Sequence, residues 1–169
     1  IVEGRTIYEN MKKFIFYIFS TNIGELIAVF TTLLLGLPAP LTAVLILIIN
    51  TLTDVLPALA LGVEPVEKNI LEQPPRKQTA KIMEGAFIKR YLFNGGVIGL
   101  LAVGVFLWAL STGGWKFGES LNTDTSLYRQ AATMTFVFLT FVQMVHAFNS
   151  RSSTASIFKL NFFSNPHLV

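Results

Sequence analysis

Residues 48–57 read IINTLTDVLP. The segment lies inside one of the most apolar stretches of the chain, Leu41–Leu61, yet it carries Asn50, Thr51, Thr53, Asp54 and Pro57. Three further apolar blocks, Phe14–Leu35, Tyr91–Leu110 and Ala131–Phe148, have a similar length. At 1.5 Å per residue, helices of about 18–22 residues cross the ~30 Å of bilayer hydrocarbon. The 169 residues are 52% hydrophobic and only 14% charged, against about a quarter charged in soluble domains. The chain therefore reads as an all-α membrane protein with four transmembrane helices in two antiparallel hairpins. A soluble bundle of buried helices is the alternative.

The basic residues set an orientation. Arg5, Lys12 and Lys13 precede the first span. Lys68, Arg76, Lys77, Lys81, Lys89 and Arg90 lie between the second and third, and Arg151 and Lys159 follow the fourth. These segments share one side and hold eleven basic residues; the remaining connection holds two, Lys116 and Arg129. The positive-inside rule places the richer side, with both termini, in the cytoplasm. The expected organisation is a cytoplasmic stalk over 1–13, a first hairpin over 14–61 and a cytoplasmic loop over 62–90. A second hairpin over 91–148, with an outer loop at 111–130, and a cytoplasmic segment over 149–169 complete it. The turn GLPAP at 36–40 makes the first hairpin tight. A short helix is expected near Thr79–Ile88. There are no cysteines, so thiol chemistry is excluded. No interleaving of basic and aromatic residues suggests a nucleic-acid partner, whereas the apolar blocks require membrane lipid. The chain starts at Ile1 without a methionine, as expected of a piece of something larger.

The polar residues within the spans are the candidates for chemistry. Asn22 and Glu25 are three apart in the first span, and Asn50, Thr53 and Asp54 sit at spacings of three and four in the second. Such spacings share a helix face. Counting from the start of each span puts Glu25 about 16 Å deep, Asn50 about 14 Å, Asp54 about 20 Å and Gln143 of the fourth span about 18 Å. All meet near the bilayer midplane. A carboxylate there costs about 2.5–3.5 kcal/mol on insertion scales. A cation or protons offset that cost. Carboxylate, amide, hydroxyl and carbonyl oxygens form the hard shell that Ca²⁺, Mg²⁺ or an alkali cation prefers, and the lack of sulfur and clustered histidine argues against soft metals. Pro57 has no N–H to return to the carbonyl of Thr53 four residues earlier, and broken helices mark midplane ion sites in transporters. The competing reading is that the two acids are neutral, hydrogen-bonded packing groups.

The stretches GRTIYENMKKFIFYIFSTNIGE (4–25), GLPAPLTAVLILIINTLTDVLPALALGVEP (36–65) and ILEQPPR (70–76) resemble the C-terminal membrane region of P-type cation-transporting ATPases of the calcium-pump type. The resemblance runs from Gly4 to about Ser150. It implies that the four spans are helices five to eight of a ten-helix membrane domain. The phosphorylation loop and the ATP- and Mg²⁺-binding domains would then lie upstream, as parts of the same pump. It also implies that Asn22, Glu25, Asn50, Thr53 and Asp54 bind the transported Ca²⁺, with Asp54 bridging two sites. The reticulum-type pump carries a glutamate in the eighth helix, where this chain has Gln143; this departure puts the second site in doubt. Sodium/potassium pumps carry an aspartate at the Asn50 position and a proline at the Gly24 position, so calcium is favoured over Na⁺ or K⁺. Secretory-pathway and plasma-membrane calcium pumps lack an acid at the Glu25 position, so reticulum-like and bacterial members fit better. The implied mechanism is alternating access with proton countertransport. Alone, the chain carries no phosphate-binding loop and should not hydrolyse ATP. A stand-alone four-helix scaffold is the reading from another class. His146 reads as interfacial packing, the glycines at 95 and 99 as a close helix contact within the protein, and PPRK (74–77) as a docking segment.

Overall fold

A computed structural model of the chain describes residues 2–66, 85–152 and 164–168. Helix α1 runs Val2–Leu34, α2 Ala43–Ile48, α3 Val55–Gly62, α4 Gly85–Thr112 and α5 Ser126–Asn149, with a π-helical turn over Ile49–Thr53 between α2 and α3. Among the described residues there is no strand. Four segments are long and apolar enough to cross a membrane: α1, the composite Ala43–Gly62, α4 and α5. The chain is an integral, multi-pass helical membrane protein. The segment before the first span continues the same helix, and α4 starts six residues ahead of Tyr91, so the expected helix near Thr79–Ile88 has its last residues in α4. Its first part, and the PPRK docking segment, lie outside the described residues.

The turns follow from local chemistry. At the end of α1, Gly36 adopts φ +73°, and the Leu37 N–H donates to the Thr32 carbonyl at 3.0 Å. Only glycine enters that left-handed conformation without strain. Thr42 and Thr125 cap α2 and α5, each accepting a backbone N–H three residues on, which satisfies donors that a helix start leaves open. The tips of the two hairpins are joined: the Tyr128 hydroxyl donates to the carbonyl of Ala39 at 2.7 Å.

Three apolar clusters stack along the bundle. Leu37, Phe106, Leu110 and Ala131 fill the end that carries the tips. Ala28, Ile49, Ile98, Ala102 and Leu139 fill the middle, and Tyr17, Ala58, Leu61 and Ala147 the other end. Leu26, Phe30, Leu47, Leu56, Phe93 and Leu100 point outward, each at least 60% exposed. In water this would be a liability; against lipid it is the expected surface.

The most extensive contact is between α1 and α4, and it is made at the backbone. A Cβ on Gly99 would lie 2.6 Å from the Gly24 carbonyl oxygen, and one on Gly95 2.7 Å from that of Ser20. The glycine pair is therefore used inside the chain, where small residues let transmembrane helices approach. A Cβ on Gly96 or Gly104 would meet no other part of the described structure within 4 Å.

Candidate ion-binding site

The buried face of α1 repeats every three to four residues: Asn10, Lys13, Tyr17, Thr21, Glu25, Ala28 and Thr32. This stripe meets the composite second span at its irregular point. There the Asp54 N–H bonds the Ile49 carbonyl, five residues back, at 3.0 Å. Helical geometry resumes at Val55, and Ala58 N–H reaches the Asp54 carbonyl at 3.1 Å. The backbone departure expected from Pro57 is present, and it takes the form of a π-turn that ends one residue before Asp54. Such turns redirect side chains at functional sites.

Two polar rungs cross the α1 interface. In the first, Asn50 Nδ2 donates to Glu25 Oε2 and Gln143 Nε2 to Glu25 Oε1, each at 2.8 Å. In the second, the Tyr17 hydroxyl donates to Asp54 Oδ1 at 3.1 Å, and Thr21 Oγ1 lies 2.8 Å from Asp54 Oδ2. The partners are four apart on both helices, so the rungs sit one helical turn apart, about 6 Å. Glu25 and Asp54 are 4 and 3% exposed and Gln143 is fully enclosed. A neighbouring pair extends the polar face: Ser20 Oγ stands 2.5 Å from His146 Nε2, and the His146 ring stacks on Tyr17 at 6.0 Å between centroids.

Four of the six expected site residues, Glu25, Asn50, Asp54 and Gln143, gather on these rungs. The other two do not. Asn22 is exposed, and its Nδ2 donates to the Ile18 carbonyl of its own helix at 2.8 Å. Three residues from Glu25 is a turn of about 60° around the axis, enough to leave the buried stripe. Thr53 is half-buried, with its hydroxyl donating at 2.7 Å to the carbonyl of Ile49 inside the π-turn. Tyr17 and Thr21 were not singled out as candidates, although their i, i+4 and i, i+8 spacing to Glu25 carries the signal. His146, read as packing, has a polar partner in Ser20.

The chemistry of the cluster is that of hard oxygen. Among the described residues no three His, Cys, Asp or Glu gather, so there is no all-acidic cage. Amides and hydroxyls complete the set around two acids, which suits a weakly held, exchangeable cation rather than a permanent one. One atom is left over. Gln143 Oε1 is buried with no hydrogen-bond partner, on the side chain whose amide already holds Glu25. A buried acceptor in that state costs free energy until a donor or a cation meets it.

The class the structure defines is a multi-pass helical membrane protein with two buried acids held within its spans by amides and hydroxyls. The family described as Cation transporting ATPase, C-terminus, matches residues 38–169, and the chain belongs to it. It is 42% identical over 175 residues to calcium-transporting ATPase 1 of Bacillus cereus, a match that takes in all of this chain and 19% of that relative. It is 35% identical over 181 residues to a probable calcium-transporting ATPase of Trypanosoma brucei brucei, and 34% over 185 residues to the endoplasmic reticulum-type calcium-transporting ATPase 3 of Arabidopsis thaliana. All of this chain is covered in both cases, and 18% of each relative. The chain thus spans about a fifth of the length of these relatives.

Proposed function

We propose that this chain is the ion-translocating membrane part of an ATP-driven Ca²⁺ pump. The observation that carries the reading is the first rung: a buried carboxylate, Glu25, gripped by two amides at mid-span, with the carbonyl oxygen of Gln143 unpartnered beside it. The names of the three relatives support calcium as the cargo. Glu25, Asp54, Asn50 and Gln143 supply oxygen ligands to the ion. Tyr17 and Thr21 hold Asp54 in position for the ion, whether it is bound or away. Release of Ca²⁺ leaves two buried acids, and uptake of protons in exchange neutralises them at a depth where charge is costly. The chemistry of ATP, with its Mg²⁺, belongs to cytoplasmic domains of the same pump, and both ends of this segment face that side. Asn22 and Thr53 bond the carbonyls of Ile18 and Ile49 in their own helices and face further helices of the pump.

Asp54→Asn in a full-length pump carrying this chain tests the reading. Ca²⁺-dependent phosphorylation by ATP is expected to vanish, while phosphorylation by inorganic phosphate without Ca²⁺ persists. Normal Ca²⁺-dependent phosphorylation in that variant defeats the assignment.

A further inference from the structure

The densest polar network among the described residues lies outside the ion site, at the end of the bundle where α3 stops. The last turn of a helix leaves carbonyls without intrahelical donors. Here side chains from other elements supply them. Asn10 of α1 donates to the Glu64 carbonyl at 2.7 Å and to that of Gly62 at 3.3 Å. Asn165, in the segment after the fourth span, donates to the Ala60 carbonyl at 2.9 Å and to Glu64 Oε2 at 2.6 Å. Arg151, just past α5, puts both Nε and Nη2 on Glu64 Oε1 at 2.8 Å. Its Nη2 also donates to Ser164 at 2.5 Å. Arg151, Glu64 and Asn165 are 2, 7 and 1% exposed. A buried guanidinium–carboxylate pair holds its geometry strongly, since loss of either partner strands a charge.

We infer that Asn165 and Arg151 are positioning residues for the ion site, acting through α3. The helix is only Val55–Gly62, with Asp54 at its start and the clasp at its finish. A helix of that length is a rigid rod, about 12 Å long. Its other end abuts the π-turn, a deformable joint. Pinning the finish of α3 therefore fixes the axial position of Asp54 against Tyr17 and Thr21. The chain beyond the fourth span thereby sets the cation affinity of a carboxylate in the second. This rests on the transport reading above.

The test is the half-saturating Ca²⁺ concentration for ATP hydrolysis, with turnover at saturating Ca²⁺, in a full-length pump carrying the chain. Asn165→Ala removes three hydrogen bonds, two donated to Ala60 and Glu64 and one accepted from the His167 N–H, without stranding a charge; Arg151→Lys keeps the charge and loses the planar fork. Each is expected to raise half-saturation at least threefold with saturated turnover within twofold. Asn94→Ala, a half-buried amide bonded among the described residues only to its own helix at Arg90, is expected to change neither. If half-saturation is unmoved in Asn165→Ala and Arg151→Lys, or if turnover falls with half-saturation unmoved, the positioning role is wrong. If neither variant accumulates as a folded protein, the clasp is a folding element and the inference is equally overturned. Absence of Ca²⁺-dependent hydrolysis in the unsubstituted pump would instead overturn the transport reading itself.

Discussion

Replacing Gln143 with leucine removes one side chain from the proposed ion site. The two side chains have similar volume, so the enclosed position is not emptied. Glu25 loses the amide at 2.8 Å from Oε1 and keeps the Asn50 amide at 2.8 Å from Oε2. A hydrogen bond to a charged group contributes about 1.5–3 kcal/mol, and about 1.4 kcal/mol is tenfold in affinity. The charged form of Glu25 should therefore be harder to hold by a factor on the order of ten to a hundred. The unpartnered Gln143 Oε1 is lost as a ligand as well, in the same direction. The assay is ATP hydrolysis by a full-length pump carrying the chain, in sealed vesicles with buffered free Ca²⁺. Half-saturation should move up by that factor, with hydrolysis at saturating Ca²⁺ largely retained. Gln143→Glu, which keeps an oxygen at the position, should lie closer to the unsubstituted protein. A Gln143→Leu pump with half-saturation within twofold of normal would refute the role given to this rung.

Tyr17→Phe removes one of the two side chains that bracket Asp54 and leaves Thr21 in place; at the lower end of the range for charged groups, roughly tenfold weaker Ca²⁺ activation is expected, and an unchanged activation curve counts against the second rung. Gly99→Val drives a side chain into the Gly24 carbonyl, an overpacking cost of about 1–3 kcal/mol; thermal unfolding in detergent should show a lower midpoint than Gly96→Val, where nothing lies within 4 Å, and equal midpoints would deny the close contact. Because the chain has no cysteine, single cysteines report the orientation directly. Gly4→Cys should be protected from an impermeant maleimide in intact cells, and Phe117→Cys in the outer loop should react; the reverse pattern inverts the topology.

The spans were legible because crossing lipid imposes a length and an apolar composition that nothing else in the chain mimics. The hairpin at 36–40 was legible because its glycine and prolines stop a helix. The helical rise puts Glu25, Asn50, Asp54 and Gln143 at similar depths; in the structure Asn50 and Gln143 bond Glu25, and Asp54 lies on the neighbouring rung with Tyr17 and Thr21. What failed for Asn22 was angular rather than axial resolution. Sharing a face within about 60° is loose, and the buried stripe runs through Thr21 instead. The π-turn was foreshadowed by Pro57, but its register depends on where the backbone yields, which the partner helix decides. The Glu64–Arg151 pair was invisible because 87 residues separate its members, and each reads alone as an ordinary charge at the end of a span.

Helix α1 is 33 residues long, about 50 Å, and so outreaches the ~30 Å of hydrocarbon. Its tightest lateral contact is at Gly24, next door to Glu25. A stiff bar held there has its fulcrum at Glu25. A 5° tilt about that point sweeps the Val2 tip sideways by roughly 3 Å over an arm of about 33 Å, while Glu25 shifts by a few tenths of an ångström. Leverage of that kind reports motion outward far better than it delivers motion inward. On the proposed transport reading, any large swing imposed on the tip therefore reaches the two rungs through the shorter rod beside it, with Glu25 as the still axis.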